Sequence, residues 1–436
     1  MDVNLIKTNC PCGKEHVFLP KVVVEKGAIR RLPSLLQEMD IRSVFVFADK
    51  NTYCAAGESV IQILEKSGIK TSKYVFQKES LEPDEANVGL AFMNFDPSYD
   101  AIVGVGSGVI NDISKIVANA SNKKYIIVGT APSMDGYASA TSSMTMEGLK
   151  ISLNSKCADL IIGDLDILCN APIKMMLSGL GDMIAKYVSI CSWRISHLIT
   201  GEYYCEEIAG LVRQSLKECM ENSMGLLERD EKAVKAVFEG LILCGAAMKM
   251  ANTSRPASGV EHYISHIWDM RGAEFGTPVE LHGIQCALGT LKAVKLYETV
   301  KNVSPSKEKA LKYVNAFDYD VWSEELRAFL GKGAESMIRL EEKEGKYDTQ
   351  KHEARLKVII DNWEEIKQII NEELPAYEHL KDIFVKLGLP TEMKDIGLDE
   401  KLFPQTFKST KDIRDKYVLS RLCWDLGIYD ELFLKG

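Results

Sequence analysis

The sequence has little of three things that mark other classes of protein: basic residues, long apolar runs and histidines. Lys and Arg number 53 against 62 Asp and Glu, so the formal net charge is −9. Nucleic-acid-binding proteins need excess positive charge to meet the phosphate backbone, so we expect no nucleic acid partner. No apolar run approaches the roughly 20 residues that span a bilayer, so we expect no membrane partner. A small anionic substrate stays open, because a local basic pocket can lie in an acidic protein.

The N-terminal stretch MDVNLIKTNCPCGKEH has neither a basic start nor an apolar core. We therefore expect no signal peptide and a cytoplasmic location. The 11 cysteines are scattered, mostly in apolar segments such as YVSICSW and LILCGAA, which is typical of reduced, buried thiols. Cys10, Cys12 and His16 are the exception because they cluster. A metal site there would need a fourth ligand and a better spacing, so we favour ordinary side chains.

The 436 residues are enough for two domains, and the secondary-structure signals change near residue 171. Before that point, apolar strand-like runs alternate with amphipathic helical segments, as in parallel β-α-β units. After it, helical periodicity dominates, and 320–385 is a highly charged helical stretch for which we expect no chemistry. We predict an α/β nucleotide-binding domain over 1–170 and an all-α domain over 171–436. Ligands would bind in the cleft between them.

Two stretches that follow predicted strands contain small and polar residues suited to a nucleotide. In AIVGVGSGVINDISK a buried strand ends in glycines and a helix begins near Val109. Such a turn lets backbone N–H groups approach a diphosphate at a helix N-terminus, although the spacing is not G-x-G-x-x-G. A tight strand–helix turn without a ligand explains the glycines equally well. The residues concerned are Gly104, Gly106, Ser107, Gly108, Asp112 and Lys115.

The second stretch, GTAPSMDGYASATSSM, follows the next strand and is rich in hydroxyl groups. These side chains can simply cap their own loop. Because the strand before it follows the glycine turn, the stretch should lie at the same edge of the sheet, and we favour contact with nucleotide or substrate. Its polar residues are Thr130, Ser133, Asp135, Ser139, Thr141 and Ser142.

One aspartate and three histidines in predicted helices of the second domain suggest metal chemistry. Asp182 occurs in GLGDMIAK, His262 and His266 in SGVEHYISH, and His282 in ELHGIQ. One carboxylate with two imidazoles would hold a divalent metal and leave a coordination position open. A hydrogen-bonded structural histidine is the ordinary alternative for each. His262 and His266 lie one helical turn apart, so both could bind metal, or one could bind metal while the other handles a proton.

These motifs together resemble the iron-containing alcohol dehydrogenase and dehydroquinate synthase superfamily, and within it the bacterial sn-glycerol-1-phosphate dehydrogenases. The resemblance extends over about residues 15–430 and is weak over 320–385. Ser107 stands where many superfamily members have glycine, which suits the bacterial branch. The matching stretches, in the expected order, are GVGSGVINDISK, TAPSMDGYAS, GLGDMIAK, SGVEHYISH, LHG and IRDKYVLSRLCWDLG.

The resemblance implies roles for individual residues. Asp182, His262 and His282 would hold the metal, whereas His266 would contact the substrate. Asp135 and Asp182 would also bind substrate. The catalytic residues would be Asp182, His262, His266 and His282. The cofactor would be bound by Gly106, Ser107, Gly108, Asp112, Thr130, Ser133 and Ser139.

Asp49, at the end of VFVFAD, bears on the choice of cofactor. A carboxylate at this position commonly accepts hydrogen bonds from an adenosine ribose and would repel a 2′-phosphate, which favours NAD(H). A helix N-cap explains the aspartate equally well, so NADP(H) stays open.

The activity implied is hydride transfer between NAD(P)H and dihydroxyacetone phosphate, giving sn-glycerol 1-phosphate for phospholipid biosynthesis. We expect a homodimer or larger homo-oligomer that holds one divalent ion, and the ligand set suits Zn²⁺, Ni²⁺ or Fe²⁺. Lys186, Arg255 and Arg271 are candidates for the phosphate site. Three alternatives remain: a glycerol dehydrogenase without a phosphate site, a dehydroquinate synthase-like cyclase, and a catalytically silent nucleotide-binding regulator. The cyclase branch usually has glutamate as its first metal ligand, so Asp182 weighs against it.

Overall fold

The computed structural model describes residues 6–7, 10–18, 20–146 and 149–433. Within these ranges the strands are β1 (Ile6–Lys7), β2 (His16–Val17), β3 (Lys21–Glu25), β4 (Ser43–Asp49), β5 (Lys70–Phe76), β6 (Ala101–Gly106), β7 (Lys124–Gly129), β8 (Thr141–Met146), β9 (Leu149–Asn154) and β10 (Leu160–Asp164). The α-helices there are α1 (Leu32–Glu38), α2 (Lys50–Thr52), α3 (Glu58–Lys66), α4 (Glu85–Asn94), α5 (Gly108–Ala120), α6 (Leu165–Leu168), α7 (Ile173–Ile184), α8 (Lys186–Thr200), α9 (Glu206–Asn222), α10 (Glu231–Ala251), α11 (Val260–Phe275), α12 (His282–Val300), α13 (Lys307–Asn315), α14 (Tyr319–Leu330), α15 (Ala334–Glu344), α16 (Thr349–Asp361), α17 (Trp363–Glu373), α18 (Tyr377–Leu387), α19 (Phe403–Thr410), α20 (Leu419–Leu426) and α21 (Tyr429–Phe433).

Six strands form a parallel sheet in the order β3-β10-β7-β6-β4-β5. The chain runs from β4 outward to β5, returns to β6 beside β4, and then runs the other way through β7 and β10. The direction therefore reverses between β4 and β6. In open parallel sheets a crevice forms at such a point, outside the carboxyl ends of the strands.

Apolar β-branched residues explain why these strands are buried. β6 (AIVGVG) is buried at every position, as is β10 (LIIGD), and continuous apolar runs suit strands that are covered on both faces. One face packs on α1 and α3. The core cluster there includes Leu35, Leu36, Val60, Leu64, Val44, Val46, Val103, Val105, Val128 and Ile162.

The chain forms two compact units, one of Met1–Met183 with Glu207–Ser254 and one of Ile184–Glu206 with Arg255–Gly436. The predicted boundary between 170 and 171 does not coincide with this division, because α7, α9 and α10 lie with the sheet. Close packing of α10 shows why. A Cβ at Gly163 would lie 2.3 Å from a ring carbon of Phe238, and one at Gly129 would lie 2.7 Å from that ring. Phe238 of α10 thus covers the ends of β7 and β10.

The second unit is helical, which agrees with the predicted α/β region followed by a helical region. Its charged stretch, 320–385, forms α14 to α18, and each of these helices buries one apolar face. Arg355 forms an ion pair with the buried Asp425, at 3.0 Å. None of the helices in the described ranges is long and apolar enough to cross a membrane.

Candidate active site

A cavity of about 760 Å³ lies in the first unit, at the carboxyl ends of β4, β6, β7 and β10. Three of the residues predicted to bind cofactor line it: Asp49, Ser107 and Thr130. This is the crevice that the reversal of strand order predicts. The remaining lining is largely apolar, and consists of Asn51, Thr52, Ala55, Val109, Ile110, Ala131, Asp166, Ile167, Asn170, Ala171, Pro172 and Met175.

The glycine turn between β6 and α5 needs glycine at Gly106. A Cβ at this position would lie 2.6 Å from the Cβ of Ile110, so any other residue would push the helix away from the strand. Ser107 is the N-cap of α5, and its Oγ accepts the N–H of Gly108 at 2.7 Å. The same Oγ lies 3.1 Å from Oγ of Ser133. The turn therefore presents a helix N-terminus and two hydroxyls, which is an arrangement suited to phosphate.

Asp49 is the N-cap of α2, and helix capping was one of the two explanations for an aspartate at this position. Its carboxylate accepts the N–H of Thr52 at 2.9 Å, and Oγ1 of Thr52 accepts the N–H of Asp49 at 3.0 Å. Because the side chain also lines the cavity, capping does not remove it from reach of a ligand. The two explanations are therefore compatible.

Lys115 organises the hydroxyl-rich stretch. Its buried ammonium donates to the carbonyl of Gly136, to Oγ of Ser139 at 2.9 Å and to the carbonyl of Thr141 at 3.1 Å. Burial lowers the pKa of Lys115. Ser139 is thus engaged in this network and lies outside the lining of the cavity. Asp112, half-buried on α5, accepts through its carbonyl from Oγ of Ser142 at 3.3 Å.

Asp182 is fully buried on α7 and lies against the stretch that contains Asp135. Its carboxylate accepts the backbone N–H of Asp135 at 2.9 Å. The motif SGLGD explains this contact. A Cβ at Gly179 would lie 1.9 Å from the carbonyl oxygen of Pro132, so only glycine allows α7 to come so close. Ser178 then donates to the carbonyl of Ser133 at 3.0 Å.

In the second unit, α11 and α12 bring three histidines together. The ring centroids of His262 and His282 are 5.3 Å apart, and those of His266 and His282 are 5.9 Å apart. The helices approach closely because of Gly289, where a Cβ would lie 2.8 Å from the carbonyl oxygen of Glu261. This spacing suits one cation shared by His262 and His282, and it places His266 beside them.

A buried carboxylate orients His262. Oε1 of Glu261 lies 2.8 Å from Nδ1 of His262 and also accepts the N–H of Gly259 at 2.6 Å. Because a carboxylate only accepts, Nδ1 carries the hydrogen and Nε2 keeps its lone pair. Metal-binding histidines usually show this arrangement. Glu261 was not among the predicted site residues, although its position next to His262 could have suggested the role.

A hydrogen-bonded chain holds His282. The amide of Gln285 donates to Oδ1 of Asp269 at 2.8 Å and to Oγ of Ser265 at 3.0 Å, and this Oγ lies 3.3 Å from Nδ1 of His282. Cys286, also absent from the prediction, lies one turn along α12 with its sulfur 3.6 Å from Nε2 of His282. Burial opposes ionisation of the Cys286 thiol, but the imidazoles of His262 and His282 bring its pKa below the ordinary value.

The three candidates for the phosphate site, Lys186, Arg255 and Arg271, each donate a hydrogen bond to a backbone carbonyl of the protein. Arg255 is paired with Glu202 and donates to the carbonyl of Tyr417 at 2.8 Å. Lys186 donates to the carbonyl of Ala257 at 3.1 Å. Arg271 donates to the carbonyl of Phe329, and burial lowers its pKa.

Lys416, in the motif IRDKYVLSRLCWDLG, is a cation that the prediction missed. It donates to the carbonyl of Ser258 at 3.3 Å, just before α11. Burial, followed by the charges of Arg255 and Arg414, lowers the pKa of Lys416 to about 7. An arriving anion would favour its protonated form.

The family model for iron-containing alcohol dehydrogenases matches residues 23–172. A glycerol-1-phosphate dehydrogenase of Halalkalibacterium halodurans is 27% identical over 419 residues, covering 95% of each chain. The enzyme of that name from Bacillus velezensis is 31% identical over 308 residues, covering 69% of this chain and 78% of the relative. Among solved structures, a glycerol dehydrogenase from Schizosaccharomyces pombe is similar in fold, with a TM-score of 0.60, 17% identity, and coverage of 97% of this chain and 92% of that one.

The predicted resemblance is therefore confirmed, as is the predicted fold class. The cleft at the carboxyl ends of the parallel strands and the histidine cluster on α11 and α12 stand in a chain that is related to these proteins over most of its length. The chain belongs to the NAD(P)-dependent glycerol-1-phosphate dehydrogenases, within the iron-containing alcohol dehydrogenase superfamily.

Proposed function

We propose that this protein transfers a hydride reversibly between NAD(P)H and dihydroxyacetone phosphate, giving sn-glycerol 1-phosphate. The observation that carries the proposal is the pair His262 and His282, with the hydrogen of His262 held on Nδ1 by Glu261. The substrate is inferred from the relatives, which are named glycerol-1-phosphate dehydrogenases and match nearly the full length of the chain.

The donor set fits a divalent cation. Asp182, His262 and His282 would hold it, and one carboxylate with two imidazoles suits Zn²⁺, Ni²⁺ or Fe²⁺. When bound, such an ion supplies a Lewis acid that polarises the substrate carbonyl. Glu261 raises the basicity of His262 and fixes the orientation of its ring, because it accepts the Nδ1 hydrogen.

The remaining polar residues would bind the substrate and move the proton. His266, beside His282, would contact the substrate oxygens and donate a proton to the carbonyl oxygen as it is reduced. Asp135 would accept a hydrogen bond from a substrate hydroxyl.

The cavity at the strand ends would bind the coenzyme, which supplies the hydride when it is bound. Gly106, Ser107, Gly108 and Asp112 would lie at its diphosphate. Thr130, Ser133 and Ser139 would lie near its nicotinamide half, with Ser139 acting through the loop that Lys115 holds. Asp49 would accept hydrogen bonds from the ribose hydroxyls of the coenzyme, which favours NAD(H) over NADP(H).

A substrate panel tests this proposal. The protein, supplied with NADH and Zn²⁺, Ni²⁺ or Fe²⁺ in turn, should oxidise NADH with dihydroxyacetone phosphate and far less with dihydroxyacetone. Equal turnover of both would indicate a glycerol dehydrogenase. No NADH consumption with any carbonyl phosphate would contradict the proposal, and a cyclising synthase would likewise show no net consumption.

Asp182→Asn separates the proposed enzyme from a silent nucleotide-binding regulator. The amide oxygen can still accept the N–H of Asp135, so the fold should persist while the charge that would hold the cation is lost. We expect turnover to fall by about 10³-fold. Asp361→Asn, an exposed carboxylate on α16, is the matched control. Turnover that survives Asp182→Asn in metal-free buffer would refute the metal-dependent mechanism.

For the substrate phosphate we propose Lys416, because its ammonium lies beside Ser258, just before the helix that carries His262 and His266. Lys416→Met should raise KM for dihydroxyacetone phosphate by about tenfold or more and leave turnover of dihydroxyacetone unchanged. An equal effect on both substrates would refute a phosphate contact.

We also propose that the protein acts in the cytoplasm as a homodimer in phospholipid biosynthesis, without nucleic acid partners. Sedimentation of the purified chain tests its assembly.

A further inference from the structure

A second group of metal-ligating side chains lies in the first unit, in the stretch CPCGKEH. β1 and β2 pair antiparallel, with Lys7 opposite His16. Between them the chain turns sharply, as the N–H of Gly13 donates to the carbonyl of Cys10 at 2.9 Å and Gly13 adopts a φ of 77°. The sulfurs of Cys10 and Cys12 and a ring nitrogen of His16 consequently lie within 4.8 Å of one another.

His16 is oriented as a metal ligand would be. It is 1% exposed, and its Nδ1 lies 3.3 Å from the carbonyl oxygen of Met250 at the end of α10. A carbonyl oxygen only accepts, so Nδ1 carries the hydrogen and the lone pair is on Nε2. Nε2 lies 3.2 Å from Sγ of Cys12. A histidine that donates through one nitrogen to a backbone carbonyl and offers the other to sulfur matches the usual surroundings of a zinc ligand.

The dimensions and the donor types point to zinc. Bond lengths of about 2.3 Å to sulfur and about 2.0 Å to nitrogen in a tetrahedral site imply a sulfur-to-nitrogen distance of roughly 3.6 Å. The separation between Cys12 and His16 needs to grow by only a few tenths of an ångström. Two thiolates with an imidazole favour zinc over Mg²⁺ or Ca²⁺, which prefer oxygen.

A structural zinc site is tetrahedral and takes four ligands, of which these residues would supply three. We propose that Cys10, Cys12 and His16 bind one structural zinc ion. Strands of two residues with one tight turn are not stable alone, and the ion would fasten this hairpin.

Zinc content measured on the full-length protein tests the proposal. A chelator should remove the ion of the proposed catalytic centre, which keeps an open coordination position, whereas a closed thiolate site should retain about one equivalent per chain. A mercurial, which modifies the thiolates, should then release that equivalent. Wild-type protein that keeps no zinc after chelation would overturn the proposal without any variant being made.

Variants assign the ligands. Cys12→Ser and His16→Asn should lose the chelator-resistant zinc. Cys54→Ser, at an exposed cysteine, is the matched control and should keep the zinc. Retention of the zinc by Cys12→Ser would exclude the site. NADH oxidation is measured separately, so failure of the proposed catalytic function would leave this result unaffected.

Discussion

The proposed coenzyme cleft of the first unit and the histidine cluster of the second are assembled by different means. Asp49, Ser107 and Thr130 stand at or just after the ends of strands, so the order of the sheet alone places them together. His262 and His282 are 20 residues apart on two helices, and they meet because Gly289 lets the helices approach. Backbone topology builds the first site, and side-chain packing builds the second.

The difference should appear when single residues are changed. A strand end keeps its place when one lining side chain is replaced, because the hydrogen bonds of the sheet hold the backbone. A helix pair depends on the volume between the helices, so its site is sensitive to residues that touch no ligand. The four predictions below test this contrast, in order of expected effect.

His262→Ala should abolish most of the activity and leave the coenzyme cleft intact. We expect kcat/KM to fall by about 10³-fold or more, because the proposed cation would lose an imidazole ligand. NADH binding, followed by nicotinamide fluorescence, should change little. His379→Ala, an exposed histidine on α18, is the control. A parallel loss of NADH affinity would show that the two regions are not separable.

Glu261→Gln should weaken metal binding without removing a ligand. The amide oxygen can still accept from Gly259 and from Nδ1 of His262, but it lacks the charge that raises the basicity of the ring. We expect an affinity for Zn²⁺ about 10- to 100-fold lower, measured by competition with a chelating dye. Glu365→Gln, exposed on α17, is the comparison. Equal zinc affinity in both variants would mean that Glu261 serves only to cap the start of α11.

Gly106→Ala and Gly289→Ala should each lower the affinity for a different ligand by about tenfold. The methyl at 106 would strike Ile110 and weaken NADH binding, whereas the methyl at 289 would strike Glu261 and weaken metal binding. Gly89→Ala on α4 has no atom within 4 Å of the new methyl and should be neutral or slightly stabilising. If both clashing variants weakened the same ligand, the contrast between the regions would fail.

Asp49→Asn should have the smallest effect, a several-fold shift of preference toward NADPH. Asparagine caps a helix as well as aspartate does, so the stability of α2 should be kept while the charge that repels a 2′-phosphate is lost. The ratio of kcat/KM for the two coenzymes measures the shift. An unchanged ratio, with thermal stability also unchanged, would assign Asp49 to capping alone.

The same contrast explains what the sequence could and could not predict. Apolar runs that end in small residues identify strand ends, and parallel strands present those ends at one edge, so the cleft and its Asp49, Ser107 and Thr130 were predictable. The domain boundary was harder to predict from the sequence. The helical pattern of α9 and α10 does not reveal that Phe238 of α10 packs on glycines at the strand ends.

Side-chain partners were the least predictable part. Glu261 could be noticed beside His262, but nothing in the spacing shows that its carboxylate turns back to Nδ1. Cys286 looks like any buried cysteine until α12 places it one turn from His282. The orientation of His16 is likewise explained only by its contact with Met250, which is 234 positions away in the chain.

Lys115 has a consequence for the thermodynamics of the proposed coenzyme binding. Its ammonium has three hydrogens and donates to three oxygens of the stretch from Gly136 to Thr141. The entropy of ordering that stretch is therefore lost during folding and need not be lost when the coenzyme arrives. Calorimetry should then show a heat-capacity change that matches contact area alone, without the surplus that accompanies coupled folding of a loop.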